Sequence, residues 1–161
     1  MEFMIWATRS LHVFSAVVWL GGLLYLGGIL HPVFRHERMT TTHAYVAVER
    51  RFLSFIWMSV WTTAITGVLL MLFSQKFQFG SYRTTWEYLL FVKQFIYLAM
   101  VLLAISTGDI VRKMEHILAS ALPSELESQL SVQHDRMVVR RRWSTVFGLV
   151  VLLISTQMVM A

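Results

Sequence analysis

Three basic side chains occur where the sequence is expected to cross a lipid bilayer. Arg9 and His12 lie near the start of the first long apolar run, and Lys93 lies inside the third run. Residues three apart share one face of a helix, so the guanidinium and the imidazole would project from neighbouring turns. A lysine in hydrocarbon costs about 2.5–3.5 kcal/mol unless it finds a partner or reaches water. These residues therefore predict a site for an anionic ligand or a metal.

Membrane-spanning helices would position these residues. Hydrophobic residues make up 57% of the 161-residue chain and charged residues only 14%, which is typical of integral membrane proteins. Four apolar runs are each long enough to cross about 30 Å of hydrocarbon as a helix, and both prolines fall between the runs. The sequence predicts an all-α fold, a single transmembrane domain over 1–161 that forms a four-helix bundle. The predicted helices span about 4–30, 52–73, 86–113 and 140–160, and a cytoplasmic amphipathic segment spans about 115–135.

The distribution of cations predicts how this bundle lies in a cell inner membrane. Ten basic residues flank the first and third connections, and four lie toward the opposite side. Because positive charge concentrates on the cytoplasmic side, both termini are expected outside. Topology thus explains the net charge of +5, and no nucleic-acid partner is expected. The ten are Arg35, Arg38, Arg50, Arg51, Arg112, Lys113, Arg136 and the headgroup anchor Arg140, Arg141 and Arg142; the four are Arg9, Lys76, Arg83 and Lys93.

A haem would account for the three basic residues. His12 and Lys93 each lie about two turns from the same membrane side, and Glu2 and Glu87 are nearer the helix ends. Neutral imidazole is a good axial ligand for haem iron, and the two propionates need cations. We therefore predict one haem b, with His12 on the iron and with Arg9 and Lys93 on the propionates or a substrate carboxylate. Small residues that would make room for it are Ala16, Gly22, Gly27 and Gly67, and candidate second ligands are Met71, Met158 and Lys93 itself.

The residues alone leave other interpretations open. Arg9 would reach the headgroups as an ordinary interfacial cation, His12 would hydrogen-bond to a neighbouring helix, and the glycines would be close-packing positions. A metal site or a proton pathway is a third interpretation. His31 and His116 end the first and third helices on one side, so a zinc or second haem there is an alternative to solvated loop histidines. The absence of cysteine excludes disulfides and thiolate metal sites.

Short motifs in the first three apolar runs match a known membrane family. They are R-x-x-H at Arg9 and His12, then Trp19, Gly21, Gly22 and Tyr25, the segment "VERRF" at Val48–Phe52, and Lys93. At these positions the chain resembles the HemJ proteins, four-helix membrane proteins of protoporphyrinogen oxidation. The resemblance implies haem b bound through His12, with Trp19 and Gly22 at the cofactor and Lys93 as a catalytic residue.

A second set of positions resembles the CopD-like membrane domain, which is linked to copper handling. The matching residues are Thr66 and Gly67 in "TG", and Thr85, Leu90 and Lys93 in the lead into the third helix. That resemblance implies copper transport or resistance, with metal uptake that depends on His12 and Met71. The chain also departs from the HemJ pattern at two places. The HemJ "P-R-L-F" run at the end of the first helix is replaced here by Gly27–Leu30, and the fourth helix begins "RRRWSTVFG" instead of "N-E-x-P".

Together these features predict a haem b-binding integral membrane redox protein. Electrons would pass between the haem and either a quinone in the membrane lipid or a partner redox protein. The chain would form a homo-oligomer or serve as the membrane subunit of a larger respiratory-type complex. The alternatives are a HemJ-type protoporphyrinogen IX oxidase, a CopD-like copper protein and a purely structural membrane subunit.

Overall fold

The computed structural model describes residues 2–32, 42–74, 85–121 and 123–160, without the side chains of residues 42, 43, 123, 124, 127 and 158–160. The described residues form long helices and contain no strand. The loop cations Arg35, Arg38, Lys76 and Arg83, and the side chain of Met158, lie outside the described part. The helices are α1 at Glu2–Tyr25, continued by a π-helical turn at Leu26–Leu30, α2 at Thr42–Leu72, α3 at Thr85–Ser120 and α4 at Pro123–Met160.

Each helix packs mainly against two others. Contacts join α1 to α2, α2 to α3 and α3 to α4, and α4 returns to α1 and to its π-helical turn. The start of α2, the end of α3 and the first half of α4 share one apolar cluster, as an up-and-down arrangement requires. In this bundle α1 and α3 occupy opposite corners, as do α2 and α4. A second apolar cluster fills the centre, and its buried members are Trp19, Leu23, Ile56, Val60, Met100 and Ala104.

Two glycines allow helices to approach closely. A Cβ atom at Gly22 of α1 would overlap the ring of Phe52 from α2. A Cβ atom at Gly148 of α4 would lie 2.7 Å from Leu20 Cδ1. Real Cβ atoms do not approach neighbours that closely, so a larger residue at either position would have to displace the Phe52 ring or the Leu20 side chain.

Three of the helices are long and apolar enough to cross a membrane, namely Glu2–Leu30, Ala44–Leu72 and Thr85–Ser120. Large apolar side chains cover the outside of the bundle on all four helices. Phe14, Trp61, Phe95 and Leu153 are each more than 60% exposed. A continuous apolar exterior of this kind suits contact with lipid.

The helices extend beyond the predicted apolar runs. α2 begins at Thr42 instead of near residue 52, and α3 continues to Ser120. The predicted amphipathic segment at 115–135 is not a separate element, because it is divided between the end of α3 and the start of α4. This segment lengthens the bundle. Its apolar residues join the cluster shared by the start of α2, the end of α3 and the first half of α4, and they are Ile117, Leu118, Leu126 and Leu130.

Candidate functional site

His12 faces α2 and is held there by a directed hydrogen bond. Its Nδ1 atom lies 2.9 Å from Thr66 Oγ1. The Thr66 hydroxyl has one proton, and it donates that proton to the Thr62 carbonyl at 2.6 Å. Thr66 Oγ1 must therefore accept from the Nδ1–H of His12. The tautomer that results leaves the lone pair on Nε2 uncommitted among the described residues.

A second polar contact joins α1 to α2 one turn away. Ser15 Oγ donates to the His12 carbonyl at 2.9 Å, and it lies 2.8 Å from Thr63 Oγ1. Since the Ser15 proton is used, the Thr63 hydroxyl donates to Ser15. Gly67 lies against the imidazole, where a Cβ atom would be 3.3 Å from His12 Cε1. The ring is thus fixed by hydrogen bonding to Thr66 and to the backbone of Thr63, and by close contact with Gly67.

Lys93 of α3 lies in the neighbourhood of His12. The side chain of Lys93 is partly buried, and that of Arg9 is exposed. Within the described ranges, no carboxylate forms an ion pair with Arg9 or Lys93. The site therefore combines an imidazole with an available nitrogen and a cation supplied by another helix.

The other predicted cofactor residues are engaged in packing. Trp19 is buried two turns beyond His12, with its ring edge-on to Tyr97 at a centroid distance of 5.9 Å. The space beside Gly22 is filled by Phe52, and Gly27 lies near Arg141 of α4. The small residues thus border three different neighbours and do not line one common space.

The two methionines predicted as second ligands are not brought to His12 by any described contact. The sulfur of Met71 accepts a hydrogen bond from Gln94 Nε2 at 3.3 Å. The side chain of Met158 lies outside the described residues. Ser15, Thr62 and Thr63 were missed in the sequence, because single hydroxyl residues in an apolar helix follow no recognisable period. The "TG" pair at Thr66 and Gly67 was the one available signal.

The opposite end of the bundle contains a buried ion pair between α2 and α4. Arg141 Nη2 lies 2.8 Å from Oε1 and 2.7 Å from Oε2 of Glu49. The neighbouring Arg140 donates to the Ser106 carbonyl at 2.6 Å, and Arg142 is exposed. The three consecutive arginines therefore have three different environments, whereas the sequence suggested one common role as a headgroup anchor.

A histidine pair lies beside this ion pair. His31 Nε2 and His134 Nε2 are 2.7 Å apart, and the rings are nearly parallel. One nitrogen donates and the other accepts, so the pair shares a single proton at that contact. Burial, together with the charge of His31, lowers the pKa of His134 below its usual value.

The alternative in which His31 approaches His116 is not found. His116 is exposed and bonds to Ser120 of its own helix at 3.2 Å, whereas His31 faces α4. No group of three or more His, Asp or Glu side chains suited to a metal ion occurs among the described residues. Which side chains His31 and His116 contact depends on how each helix is rotated about its own axis. The depth of a residue along its helix does not predict that rotation.

Neither a known family model, nor a curated protein, nor a solved structure matches this chain. The geometry of the two ends of the bundle is therefore the basis for a functional assignment.

Proposed function

We propose that this protein is an integral membrane redox protein that binds one haem b, with His12 as an axial ligand. The observation that carries the proposal is the hydrogen bond from His12 Nδ1–H to Thr66. Histidines that ligate metals almost always donate their other ring N–H to a neighbouring acceptor, which fixes the tautomer and orients the ring. His12 has that arrangement, with Nε2 left for the iron.

The donor set suits a haem in two further respects. A haem carries two propionates, and Arg9 and Lys93 are two cations toward the same end of the bundle without a described carboxylate partner. Haem b, when bound, supplies reversible one-electron transfer. The residues of the chain hold the imidazole through Thr66 and Gly67 and attract anionic groups through Lys93. A quinone in the lipid or a partner redox protein would exchange the electron.

The proposal includes four membrane-spanning helices in a cell inner membrane with both termini outside. The fourth span would be the apolar part of α4, Trp143–Met160. Arg50, Arg51, Arg112 and Lys113 lie toward the end of the bundle where α2 begins and α3 ends. A cytoplasmic position for that end follows the usual distribution of positive charge.

A second candidate function is oxidation of protoporphyrinogen. The observation that favours it is the position of Lys93 near His12, where an ammonium would bind a carboxylate of a second tetrapyrrole. The catalytic role predicted for Lys93 applies to this second candidate function. Growth of a strain that lacks its own oxidase, restored by this chain and not by Lys93→Ala, is the expected result. Copper handling lacks comparable support, because the Met71 sulfur is engaged by Gln94.

The test of haem binding uses the full chain purified in detergent. We expect a reduced-minus-oxidised spectrum typical of a b-type cytochrome, and about one haem per chain by the pyridine haemochrome method. His12→Ala should lose the haem while the protein still inserts and purifies. His116→Ala is the matched control and should keep it, because that side chain is exposed and bonds within its own helix. A colourless native protein, or equal haem content in both variants, contradicts the proposal.

A further inference from the structure

A groove of about 420 Å³ lies between the π-helical turn of α1 and the facing side of α4. Its volume falls in the range of about 300–1,000 Å³ that is usual for small-molecule pockets. Leu24 and Val146 contribute apolar walls, Gly27 and Gly28 form part of one side, and His31 and Arg142 are among its polar lining residues. The groove is far from the His12 site along α1, and the proposed haem function does not use it.

The backbone of α1 creates the space. A π-helical turn has an extra residue compared with an α-helical turn, and such turns are frequent at functional sites. A Cβ atom at Gly28 would meet nothing within 4 Å, and one at Gly27 would have only Arg141 Cδ at 3.6 Å. The two glycines therefore leave open space where ordinary side chains would stand.

The charge of the groove is positive. Arg141 lines it, but the carboxylate of Glu49 neutralises this guanidinium. Arg142 is exposed and forms no ion pair with any described carboxylate. Arg142 is therefore the side chain that gives the groove its uncompensated positive charge.

The groove runs along α1 toward the end of the candidate membrane span. The candidate span of α1 ends at Leu30, and His31 follows at once. Arg142 immediately precedes the apolar part of α4, Trp143–Met160, so His31 and Arg142 both border the apolar spans and lie near the level of the lipid headgroups. The apolar end, with Leu24 and Val146, lies closer to the middle of the span. A ligand that fits both ends has an anionic head and an apolar tail.

We propose that this groove binds one anionic phospholipid, with its phosphate beside Arg142 and an acyl chain along Leu24 and Val146. The lipid would bridge α1 and α4, two helices that also meet through the His31–His134 pair. This assignment is independent of the haem proposal, because the two sites lie at opposite ends of the bundle.

The experiment compares lipid retention by native mass spectrometry of the full chain. The protein is mixed in detergent with equal amounts of phosphatidylglycerol and phosphatidylcholine. We expect one retained phosphatidylglycerol with a preference of about fivefold, the factor expected for one basic residue near anionic lipid. Gly28→Leu should lose the lipid by filling the groove, whereas Gly21→Leu should behave as the native chain, since Gly21 also faces open space but does not line the groove.

A charge variant provides a second test that does not depend on the α1 backbone. Arg142→Gln should bind the two lipids equally, whereas Arg112→Gln, which alters an exposed arginine on α3, should keep the preference. Three results would overturn the proposal: no preference in the native chain, equal retention in Gly28→Leu and Gly21→Leu, or complete displacement of the lipid by sodium phosphate. The last result would identify the groove as a site for free phosphate. If Gly28→Leu does not fold, the comparison of Arg142→Gln with Arg112→Gln tests the proposal.

Discussion

Glu49 and Arg141 form an ion pair across the diagonal of the bundle, with exposed side-chain fractions of only 2% and 6%. One guanidinium nitrogen lies within 2.8 Å of both carboxylate oxygens. The hydroxyl of Tyr45, one helical turn before Glu49, belongs to the same buried group. Since α2 and α4 are on opposite corners, this contact ties together helices that pack mainly on their neighbours.

Removing one partner of this pair should destabilise the fold strongly. Arg141→Met leaves the Glu49 carboxylate buried without compensation, and such changes cost about 3–5 kcal/mol. Replacing both residues, as in Glu49→Leu with Arg141→Met, should recover much of that loss, because no charge then remains inside. The unfolding free energy in detergent, measured by denaturant titration, gives the comparison.

The exposed pair of Asp109 and Arg112 is the control for this experiment. Its atoms are 3.1 Å apart and both side chains are more than half exposed. Arg112→Gln should change the unfolding free energy by about 0–1 kcal/mol. A double replacement at Glu49 and Arg141 that is as unstable as Arg141→Met would show that the pair is not electrostatically coupled.

Thr66 should control haem affinity without touching the haem. Thr66→Val removes the acceptor for His12 Nδ1–H, and loss of such supporting partners typically reduces metal affinity by about 10–100-fold. Thr66→Ser keeps the hydroxyl and should bind haem nearly as tightly as the native chain. Absorbance titration of the haem-free protein measures both affinities. Equal binding by the serine and valine variants would mean that Thr66 does not orient His12.

Lys93 should contribute through its charge. Lys93→Ala should weaken binding of haem or of a carboxylated substrate, whereas Lys93→Arg should retain most of it. Lys93→Ala should still insert, because removing a lysine from a membrane helix favours insertion, and Lys93→Arg should insert like the native chain because it keeps the same charge. Haem content per chain and the fraction recovered in membranes are the measurements. If Lys93→Ala and the native chain bind haem equally well, Lys93 has no role in holding the propionates.

Gly22 should tolerate no side chain. In Gly22→Ala the new methyl group overlaps the ring of Phe52, and overfilled cores typically lose about 1–3 kcal/mol. Gly21→Ala is the matched control, because a Cβ atom there meets nothing within 4 Å. Thermal unfolding in detergent should separate the two variants. Equal unfolding temperatures would show that the Phe52 ring moves aside freely.

The helical fold could be predicted because its signal is local. An apolar run of sufficient length is read within one segment, and all four runs lie inside helices. The starts of helices were harder to predict. α2 begins at Thr42, ten residues before the predicted start near 52, because Glu49 and its neighbours look like surface residues in the sequence. In the structure Glu49 is buried, since its partner Arg141 comes from a distant part of the chain.

For the candidate site, the sequence predicts only how deep each residue lies along its helix. The depth of each residue along its helix predicts His12 and Lys93 at similar height, and their shared role at one cofactor stays a prediction. The partners of His12 and His31 depend on how each helix is rotated, which apolar sequences specify weakly. For that reason Thr66 was not identified as the acceptor, and the alternative partner considered for His31 was His116, whereas the structure has His134.

The His31–His134 pair should make stability depend on pH. Burial and the charges of His31 and Arg141 lower the pKa of His134 below 6.5, although Asp135 and Glu49 act in the opposite direction. A group with a lowered native pKa binds its proton more readily in the unfolded chain. This stabilising contribution is therefore complete above about pH 6.5 and is lost as the pH falls, by up to about 1.4 kcal/mol per pH unit for one proton. The unfolding midpoint in detergent, measured from pH 8 down to pH 5.5, should fall over the acidic part of this range.

His134→Gln should reduce that fall, and His116→Gln should leave it unchanged because the His116 side chain is exposed. A His134→Gln variant with the full pH dependence of the native chain would assign the effect to other groups.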